Sequence, residues 1–304
     1  MRNLTDFQLK MADLLPELEL RYDESMAKHT SFRIGGPVEV MAFPKTVEEL
    51  AEVLKVSALL DRKTAILGAG TNVLAPDAGL PGLVICLKDC LGGMEQQDDA
   101  HIRVAAGVTM TRAAVFAANL GLSGLEFAHG IPGTVGGGVY MNAGAYGGEI
   151  CQVCTQVEVM DLAGNLRVYT GEEMNFSYRH SRLEDEGGIV VSAIFTLVPK
   201  PTEEIRAVMQ DLMGRRSASQ PLDLPSAGSA FKRPVGGYAA ALIDNAGLKG
   251  YRIGNAAVSE KHAGFVINYD NATSEDILKL IEHIKQVIME KNGLAIQCEV
   301  RLIQ

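Results

Sequence analysis

The chain has 304 residues, of which 47% are hydrophobic and 21% charged, proportions typical of a globular protein with room for two or three domains. Its net charge is −9, and the sequence has no cluster of lysine and arginine that would bind a nucleic-acid backbone. The N-terminal segment lacks the apolar centre of a signal peptide, and no apolar run is long enough to span a bilayer. We therefore expect a cytoplasmic protein whose partners include neither nucleic acid nor a membrane.

The first half of the chain alternates between helix and strand signals. Thr46 and Glu49 have the spacing of a capping box ahead of an apolar stripe, which predicts a helix over 46–60. A second helix is predicted over 109–120, ended by Gly121. Strands are predicted over 64–67, 83–87 and 101–105.

Strand signals dominate the middle of the chain, and helix signals return after it. Strands are predicted over 152–161, 166–170 and 189–198. The clearest domain boundary follows, at Pro199-Lys200-Pro201. Helices are predicted over 202–215 and 274–291. Because apolar and polar residues alternate near the C-terminus, a last strand is predicted over 295–303. The pattern indicates an α+β fold with mixed sheets.

The five cysteines do not indicate a disulfide framework, because their number is odd and they are scattered at positions 86, 90, 151, 154 and 298. Cys151 and Cys154 have the CxxC spacing of a zinc or redox site. However, the segment 150–160 alternates like a strand, and residues three apart on a strand point to opposite faces. We therefore expect no metal site and no redox pair here.

A glycine-rich loop follows the strand predicted over 64–67 and reads Ile66-Leu67-Gly68-Ala69-Gly70-Thr71-Asn72. Bare N–H groups in such a loop can approach an anion, although a lone glycine pair also fits a simple tight turn. A Rossmann fingerprint is excluded, because Val73 stands where its third glycine would be. Prolines and glycines over 76–82 also prevent the helix that should follow.

A second glycine-rich loop reads His129-Gly130-Ile131-Pro132-Gly133-Thr134-Val135-Gly136-Gly137-Gly138. Eight of the nineteen residues over 130–148 are glycine. Glycine at this density loses backbone entropy on folding with no side chain to compensate, which favours a bound ligand. Two loops that each hold an anion predict a diphosphate bound from both sides, and hence a dinucleotide.

Together the two loops resemble the flavin domain of the vanillyl-alcohol-oxidase superfamily, in which they hold the diphosphate of FAD. The chain from Thr30-Ser31-Phe32-Arg33-Ile34-Gly35-Gly36 to Glu299-Val300 is similar to one family within it, the UDP-N-acetylenolpyruvoylglucosamine reductases, in their shorter form. The resemblance implies an N-terminal segment over 1–29 and an FAD-binding domain of the PCMH type over 30–198, with two subdomains divided near 85. A smaller α+β substrate-binding domain would follow over 201–304, with the strand 295–303 reaching the active site.

The resemblance also implies non-covalently bound FAD as the cofactor and NADPH as the reductant. The implied substrate is UDP-N-acetylglucosamine enolpyruvate, and the product is UDP-N-acetylmuramate, a peptidoglycan precursor. We expect the protein to act as a monomer. The implied FAD contacts are Gly68, Ala69, Gly70, Thr71, Asn72, Gly130, Ile131, Pro132, Gly133, Thr134, Gly136, Gly137, Asn142, Ala143, Gly144 and Ile189.

Three polar residues are candidates for the chemistry, namely Arg179, Ser229 and Glu299. Taken alone, they also fit a surface arginine, a turn serine and a solvated strand carboxylate. The family places an arginine, a serine and a glutamate of the matching motifs around the enolpyruvyl group. The resemblance implies that hydride passes from flavin N5 to the terminal vinyl carbon while Arg179 stabilises the developing negative charge. Ser229 would protonate the adjacent carbon, and Glu299, if protonated, would donate a hydrogen bond to the enolate.

The resemblance places substrate contacts on Tyr178, Lys232, Arg233, Tyr238, Lys261 and His262, with Lys232 and Arg233 as candidates for the diphosphate. Each also fits an ordinary surface role, and His262 equally fits a structural one. The chain departs from the family at two positions, since Arg233 stands where asparagine is common and Gln297 where glutamate is common.

Two other functions remain open from the sequence. One is a different FAD oxidoreductase of the same superfamily, such as a carbohydrate or hydroxy-acid oxidase. Those enzymes often bind FAD covalently through histidine or cysteine, and they lack the Gly-Ser-x-Phe-Lys motif found here at 228–232. The other is an inactive protein that binds flavin or a nucleotide sugar, which the joint presence of Arg179, Ser229 and Glu299 disfavours.

Overall fold

The structure is a computed structural model that describes residues 4–303, and it confirms an α+β fold. The longest helices follow the second glycine loop in the chain. Numbered in chain order, the α-helices are α1 (Asp6–Leu14), α2 (Val47–Leu59), α3 (Met110–Asn119), α4 (Val135–Tyr140), α5 (Arg182–Glu186), α6 (Thr202–Ser219), α7 (Ala239–Asn245) and α8 (Ser274–Asn292).

The strands are short, and several consist of two residues only. Numbered in the same way, they are β1 (Leu20–Ser25), β2 (Pro37–Ala42), β3 (Thr64–Leu67), β4 (Val73–Leu74), β5 (Leu80–Cys86), β6 (Met94–Gln96), β7 (His101–Ala105), β8 (Leu122–Ser123), β9 (Gly144–Ala145), β10 (Gly148–Glu149), β11 (Cys154–Met160), β12 (Leu166–Thr170), β13 (Ile189–Thr196), β14 (Val198–Pro199), β15 (Ser226–Ser229), β16 (Arg252–Ile253), β17 (Ala256–Val258), β18 (Phe265–Asn268) and β19 (Arg301–Leu302).

The predicted helices begin and end close to their capping residues. Helix α2 starts after Thr46, whose hydroxyl accepts a hydrogen bond from the Glu49 N–H at 3.1 Å. The Glu49 carboxylate accepts from the Lys45 N–H at 2.6 Å, so the second bond of the capping box is displaced by one residue. Helix α8 ends at Gly293, whose φ of 65° is the left-handed conformation common at helix C-termini. The helices predicted over 46–60, 109–120 and 274–291 are thus confirmed.

The strand predicted over 295–303 is wrong, because this segment changes its bonding partner midway. The Glu299 N–H donates to the Ala230 carbonyl, whereas the Arg301 N–H donates to the Asn72 carbonyl. Only Arg301–Leu302 forms a strand, paired in parallel with β4. Leu302 is 48% exposed, so the alternating pattern does not mark one buried face of a sheet.

The strand predicted from Gln152 begins only at Cys154, because Ile150–Gln152 forms a 3₁₀ turn. Only Cys154 lies on the strand, so the prediction that the two thiols point to opposite faces of one strand is wrong. They differ instead in exposure, since Cys151 is exposed and Cys154 is buried. Burial raises the pKa of the Cys154 thiol to about 12, so little thiolate forms there at neutral pH.

The chain divides into two compact units, each assembled from three segments. Within the described residues, unit 1 comprises 4–22, 40–69 and 82–216. Unit 2 comprises 23–39, 70–81 and 217–303. No helix of residues 4–303 is both long and apolar enough to cross a membrane.

Unit 1 contains the larger part of one sheet, the whole of another, and two hydrophobic cores. One sheet has the order β1-β2-β5-β3, with β3 and β5 parallel, and the other has the order β12-β11-β13-β7-β6, with antiparallel neighbours. Helices α1 and α2 bury their apolar faces in the core that contains Ile85. Helices α3, α4 and the first half of α6 bury theirs in the core that contains Val104 and Phe195.

Unit 2 is built on the antiparallel sheet β15-β18-β17-β16. Helix α8 covers it with a stripe of buried residues, namely Ile277, Leu280, Ile281, Ile284 and Ile288. Asp77 fixes the start of this helix, because its carboxylate accepts from the Ser274 N–H at 2.7 Å and from the Ser274 hydroxyl at 2.6 Å. A carboxylate at this end also opposes the positive pole of the helix dipole.

Gly214, in the exposed interior of α6, is a position at which alanine should stabilise the protein. An added Cβ would meet no atom within 4 Å, and the backbone is helical. We expect Gly214→Ala to raise the free energy of unfolding by about 0.5–1 kcal/mol, because alanine loses less backbone entropy. Gly247→Ala is the matched control, since its Cβ also has open space but its φ is +75°, so it should destabilise. Urea denaturation would contradict this account if both substitutions shifted stability in the same direction.

Candidate functional site

The two glycine-rich loops lie against each other in unit 1. A Cβ atom added at Gly68 would lie 2.6 Å from Oγ1 of Thr134, closer than real Cβ atoms approach an oxygen. Thr134 is buried, and its Oγ1 also accepts from the Gly137 N–H at 3.3 Å, at the start of α4. Glycine is therefore required at position 68, and the two loops meet at one place.

Four backbone N–H groups of these loops, at Gly68, Ala69, Gly130 and Gly133, donate to no acceptor within residues 4–303. All four residues are partly exposed. Loop N–H groups of this kind are the donors with which proteins bind phosphate oxygens. The pair of loops in unit 1 therefore fits the diphosphate of FAD.

Helix α4 does not supply these donors. It has six residues, and its first N–H groups, at Val135 and Gly136, donate to the carbonyls of Val108 at 2.8 Å and Ala106 at 2.9 Å. A Cβ added at Gly136 would also lie 2.9 Å from the Cβ of Ala106. Part of the glycine content of the second loop thus serves close packing, so glycine density alone exaggerates its contact with a ligand.

Three further residues that were expected to contact FAD are held in position by packing against the hydrophobic cores. Ile131 and Ala143 are half-buried and pack against the core that contains Val104. Ile189 is 2% exposed and lies in the core with α1 and α2. Its side chain is therefore enclosed by protein, which leaves its backbone as the part that a cofactor could contact.

The first loop continues into unit 2 at Gly70, where the chain needs glycine for a second reason. The φ of Gly70 is +64°, and an added Cβ would collide with the carbonyl of His29. The Gly70 carbonyl accepts from the Ser31 N–H at 3.0 Å. Farther on, Asn72 binds the C-terminal segment: its Nδ2 donates to the Glu299 carbonyl at 3.2 Å, and its own carbonyl accepts from the Arg301 N–H at 3.0 Å.

Arg179 lies in a tight turn of unit 1 between Ser177 and His180. These two residues exchange backbone hydrogen bonds of 3.1 and 3.2 Å. Arg179 has a φ of 56°, a left-handed conformation that a residue with a Cβ adopts only under constraint. Nη2 of its guanidinium donates to the Gly144 carbonyl at 3.1 Å, in the segment that follows the second loop. The structure thus ties the candidate arginine to the predicted cofactor region.

Ser229 and Glu299 lie on neighbouring segments of unit 2. The Glu299 N–H donates to the Ala230 carbonyl at 2.8 Å, next to the isolated bridge between Phe231 and Cys298. Ser229 is exposed at the end of β15, and its hydroxyl donates only a long hydrogen bond, 3.4 Å, to the Phe231 carbonyl. A hydroxyl held this weakly can turn towards another acceptor.

The candidate substrate residues Arg233 and Tyr238 form an exposed pair in unit 2, since the guanidinium lies 4.4 Å from the centre of the tyrosine ring. Lys232, next to Arg233, is half-buried, and its N–H donates to the Gln297 carbonyl at 2.9 Å. In unit 1, Tyr178 is exposed, and the Arg179 guanidinium lies 5.1 Å from its ring.

Lys261 and His262 are both engaged inside unit 2. The Lys261 ammonium donates to the Ser217 carbonyl at 2.6 Å. Nδ1 of His262 accepts from the Gly264 N–H at 3.1 Å, and the ring meets Phe265 edge-on. Burial lowers the pKa of His262, so the ring is neutral at physiological pH. These contacts favour the structural interpretation of His262.

One cation beside the second loop, Arg216 near the end of α6, is not among the site residues predicted from the sequence. Arg216 is buried, and a Cβ added at Gly130 would lie 2.8 Å from its Nε. Its guanidinium also lies 5.7 Å from the ring centre of Tyr146. Burial lowers the pKa of Arg216, but an arginine keeps its charge. The sequence does contain a pattern that indicates its burial, because Arg216 continues the helical stripe formed by Ile205, Met209 and Leu212.

Gly68→Ala is expected to weaken FAD binding by about 10–100-fold, because the new Cβ displaces Thr134 and distorts the loop N–H groups. The measurement is the quenching of flavin fluorescence when apoprotein is titrated with FAD. The matched control is Gly92→Ala, since an added Cβ there meets nothing within 4 Å and the φ is ordinary. An FAD Kd within twofold of wild type for Gly68→Ala would contradict this role of the loop.

Comparison with known protein families matches both parts of the chain. Residues 38–170 match the family model described as an FAD binding domain. Residues 220–303 match the model described as the C-terminal domain of UDP-N-acetylenolpyruvoylglucosamine reductase.

Relatives of similar length are found among curated sequences and solved structures. The UDP-N-acetylenolpyruvoylglucosamine reductase of Agathobacter rectalis is 44% identical over 308 aligned residues, covering 98% of both chains. That of Caldanaerobacter subterraneus is 44% identical, covering 97% of both. The crystal structure of UDP-N-acetylenolpyruvylglucosamine reductase from Thermus caldophilus matches with a TM-score of 0.80 and 34% identity, over 95% of this chain and 99% of that one.

Proposed function

This chain belongs to the UDP-N-acetylenolpyruvoylglucosamine reductase family, and on that premise we propose which of its residues carry out the family's reaction. It is an FAD-dependent oxidoreductase of peptidoglycan precursor synthesis that converts UDP-N-acetylglucosamine enolpyruvate to UDP-N-acetylmuramate, with NADPH as the reductant. The enolpyruvyl double bond gains one hydride and one proton. When bound, FAD supplies the hydride chemistry. The protein's own residues must stabilise the negative charge that develops on the substrate and supply the proton.

Arg179 is proposed to stabilise the negative charge that develops on the enolpyruvyl carboxylate as hydride arrives. A guanidinium suits this role because it cannot lose its proton. Support comes from its position, since Nη2 is bonded to Gly144 and the strained turn fixes the backbone. A cation that is already in place needs no reorganisation when the charge forms.

Ser229 is proposed to give its hydroxyl proton to the carbon next to the reduced terminal carbon. The long hydrogen bond to Phe231 supports this role, because the hydroxyl loses little when it turns to the substrate. Glu299, in its protonated form, is proposed to donate a hydrogen bond to the enolate from the neighbouring segment, where Asn72 and Ala230 hold its backbone. All three residues are proposed to act on the same enolpyruvyl group.

The nucleotide part of the substrate is proposed to bind to Lys232, Arg233 and Tyr238, with further contacts from Tyr178. The diphosphate carries negative charge that Lys232 and Arg233 can balance. Lys261 and His262 are proposed to act indirectly, by shaping this part of unit 2. Arg216 joins the loop residues as a proposed FAD contact, because its Nε would lie 2.8 Å from a Cβ added at Gly130, one of the residues with a donor N–H.

The observation that carries the proposal is the pairing of the two loops in unit 1, with unused N–H donors at a place tied to Arg179. Purified protein should be yellow, release its flavin on acid precipitation, and oxidise NADPH only when the enolpyruvyl nucleotide sugar is added. Absence of flavin, or NADPH oxidation at the same rate without that substrate, would refute the proposal. We further propose that the enzyme acts as a cytoplasmic monomer, which sedimentation analysis and cell fractionation can test.

A further inference from the structure

The turn that carries Arg179 runs from Ser177 to His180 in unit 1. Two backbone hydrogen bonds between Ser177 and His180 close it, and Arg179 occupies a left-handed conformation. A strained turn of this kind persists only when the surrounding structure holds it. The neighbouring Ser181 is fully buried and donates to the Tyr140 carbonyl at 2.7 Å, which fixes one end of the turn.

The other end is fixed by Asn142, in the segment after the second glycine loop. Nδ2 of Asn142 donates to the Ser177 carbonyl at 3.0 Å and to Oε2 of Glu149 at 3.2 Å, while Oδ1 accepts from the Cys151 N–H at 2.9 Å. The side chain is 1% exposed. Both N–H donors of this carboxamide are therefore engaged inside the protein.

We propose that Asn142 is a positioning residue for Arg179, whose carboxamide holds the turn and thereby sets the guanidinium against Gly144. This assignment differs from the FAD contact that the sequence suggested for Asn142, because the nitrogen and oxygen of its carboxamide already have protein partners. The backbone also suits asparagine, which tolerates the φ of 43° found there better than most residues do. The inference rests on the proposed function of Arg179, since a misplaced turn matters only if that guanidinium serves the reaction.

The informative substitution is Asn142→Asp, because aspartate keeps the shape and the tolerance for this backbone but cannot donate to Ser177. The Ser177 carbonyl then keeps its bond from the His180 N–H but loses the second one from Asn142, so the turn is held less firmly and the guanidinium loses its fixed position. We expect substrate reduction to slow about 10–100-fold. FAD affinity and the rate of FAD reduction by NADPH should stay within about threefold of wild type. In the apoprotein, the His180 amide should exchange its hydrogen faster, because the turn opens more often.

Two further variants test whether slower substrate reduction in Asn142→Asp results from the lost hydrogen bond to Ser177. Glu149→Gln changes the other acceptor of the same Asn142 nitrogen and leaves Ser177 untouched, so it should keep the wild-type rate and the slow exchange at His180. Asn142→Asp combined with Arg179→Gln should be no slower than Arg179→Gln alone, because both changes remove the same effect.

The possible outcomes separate this inference from the proposed function. If Arg179→Gln does not slow substrate reduction, the role of Arg179 itself is wrong, and the inference falls with it. If Arg179→Gln is slow but the two substitutions multiply, Asn142 acts by another route. Weakened FAD binding in Asn142→Asp, unchanged exchange at His180, or an equal loss in Glu149→Gln would each overturn the positioning role.

Discussion

Ser229→Ala is expected to slow reduction of the enolpyruvyl substrate by about 10²–10⁴-fold, the range typical for the loss of a general acid. The carbon next to the hydride acceptor then has no positioned proton donor, so water must supply the proton. Reduction of bound FAD by NADPH should stay within about twofold of wild type, because no proton from Ser229 is needed in that half-reaction. Anaerobic stopped-flow absorbance of the flavin measures the two halves separately.

The matched control for Ser229→Ala is Ser226→Ala, which lies on the same strand, β15. It should affect neither half-reaction. If Ser229→Ala slowed both half-reactions equally, the proton-donor role would be wrong, and a general distortion of unit 2 would explain the loss.

Arg179→Gln is expected to slow the same half-reaction by about 10²–10³-fold, which corresponds to removal of one preorganised charge from the transition state. Glutamine can still donate to a carbonyl such as that of Gly144 but carries no charge. Arg179→Lys should recover part of the lost rate, because the charge returns without the planar geometry of the guanidinium. The rate of flavin reoxidation by substrate, measured at saturating concentration, checks this expectation.

Arg167→Gln provides the control for charge, because Arg167 is an exposed arginine of the same unit, on β12. Its substitution should leave the rate unchanged. An equal loss in Arg167→Gln and Arg179→Gln would mean that the overall charge of the unit, rather than the turn at 177–180, governs the reaction.

Local sequence signals predicted those elements of the fold whose bounds are set by residues close to them in the sequence. Helix α8 has its capping residue Thr273, its apolar stripe and its terminal Gly293 within one stretch of sequence, so its bounds could be predicted closely. The strand over 295–303 failed because its backbone bonds are shared between two distant segments, around Ala230 and Asn72. Alternation along the chain contains no information about such a change of partner.

The candidate site also has features that the sequence predicted and features that it did not. The glycine loops were visible from composition, but their contact through Gly68 and Thr134 joins residues far apart in the sequence. The hydrogen bonds from Arg179 to Gly144 and from Asn142 to Ser177 likewise join residues far apart in the sequence. Sequence also could not separate the glycines that expose N–H groups, such as Gly130, from those such as Gly136 that allow close packing.

The central claim is that Arg179 of unit 1 and Ser229 of unit 2 serve the same half-reaction. The most direct measurement is a single turnover in which enzyme with anaerobically reduced flavin is mixed with UDP-N-acetylglucosamine enolpyruvate. We predict rapid flavin reoxidation in wild type and slow reoxidation in Arg179→Gln and Ser229→Ala, while NADPH reduces all three at similar rates. Reoxidation at the wild-type rate in either variant would contradict the claim.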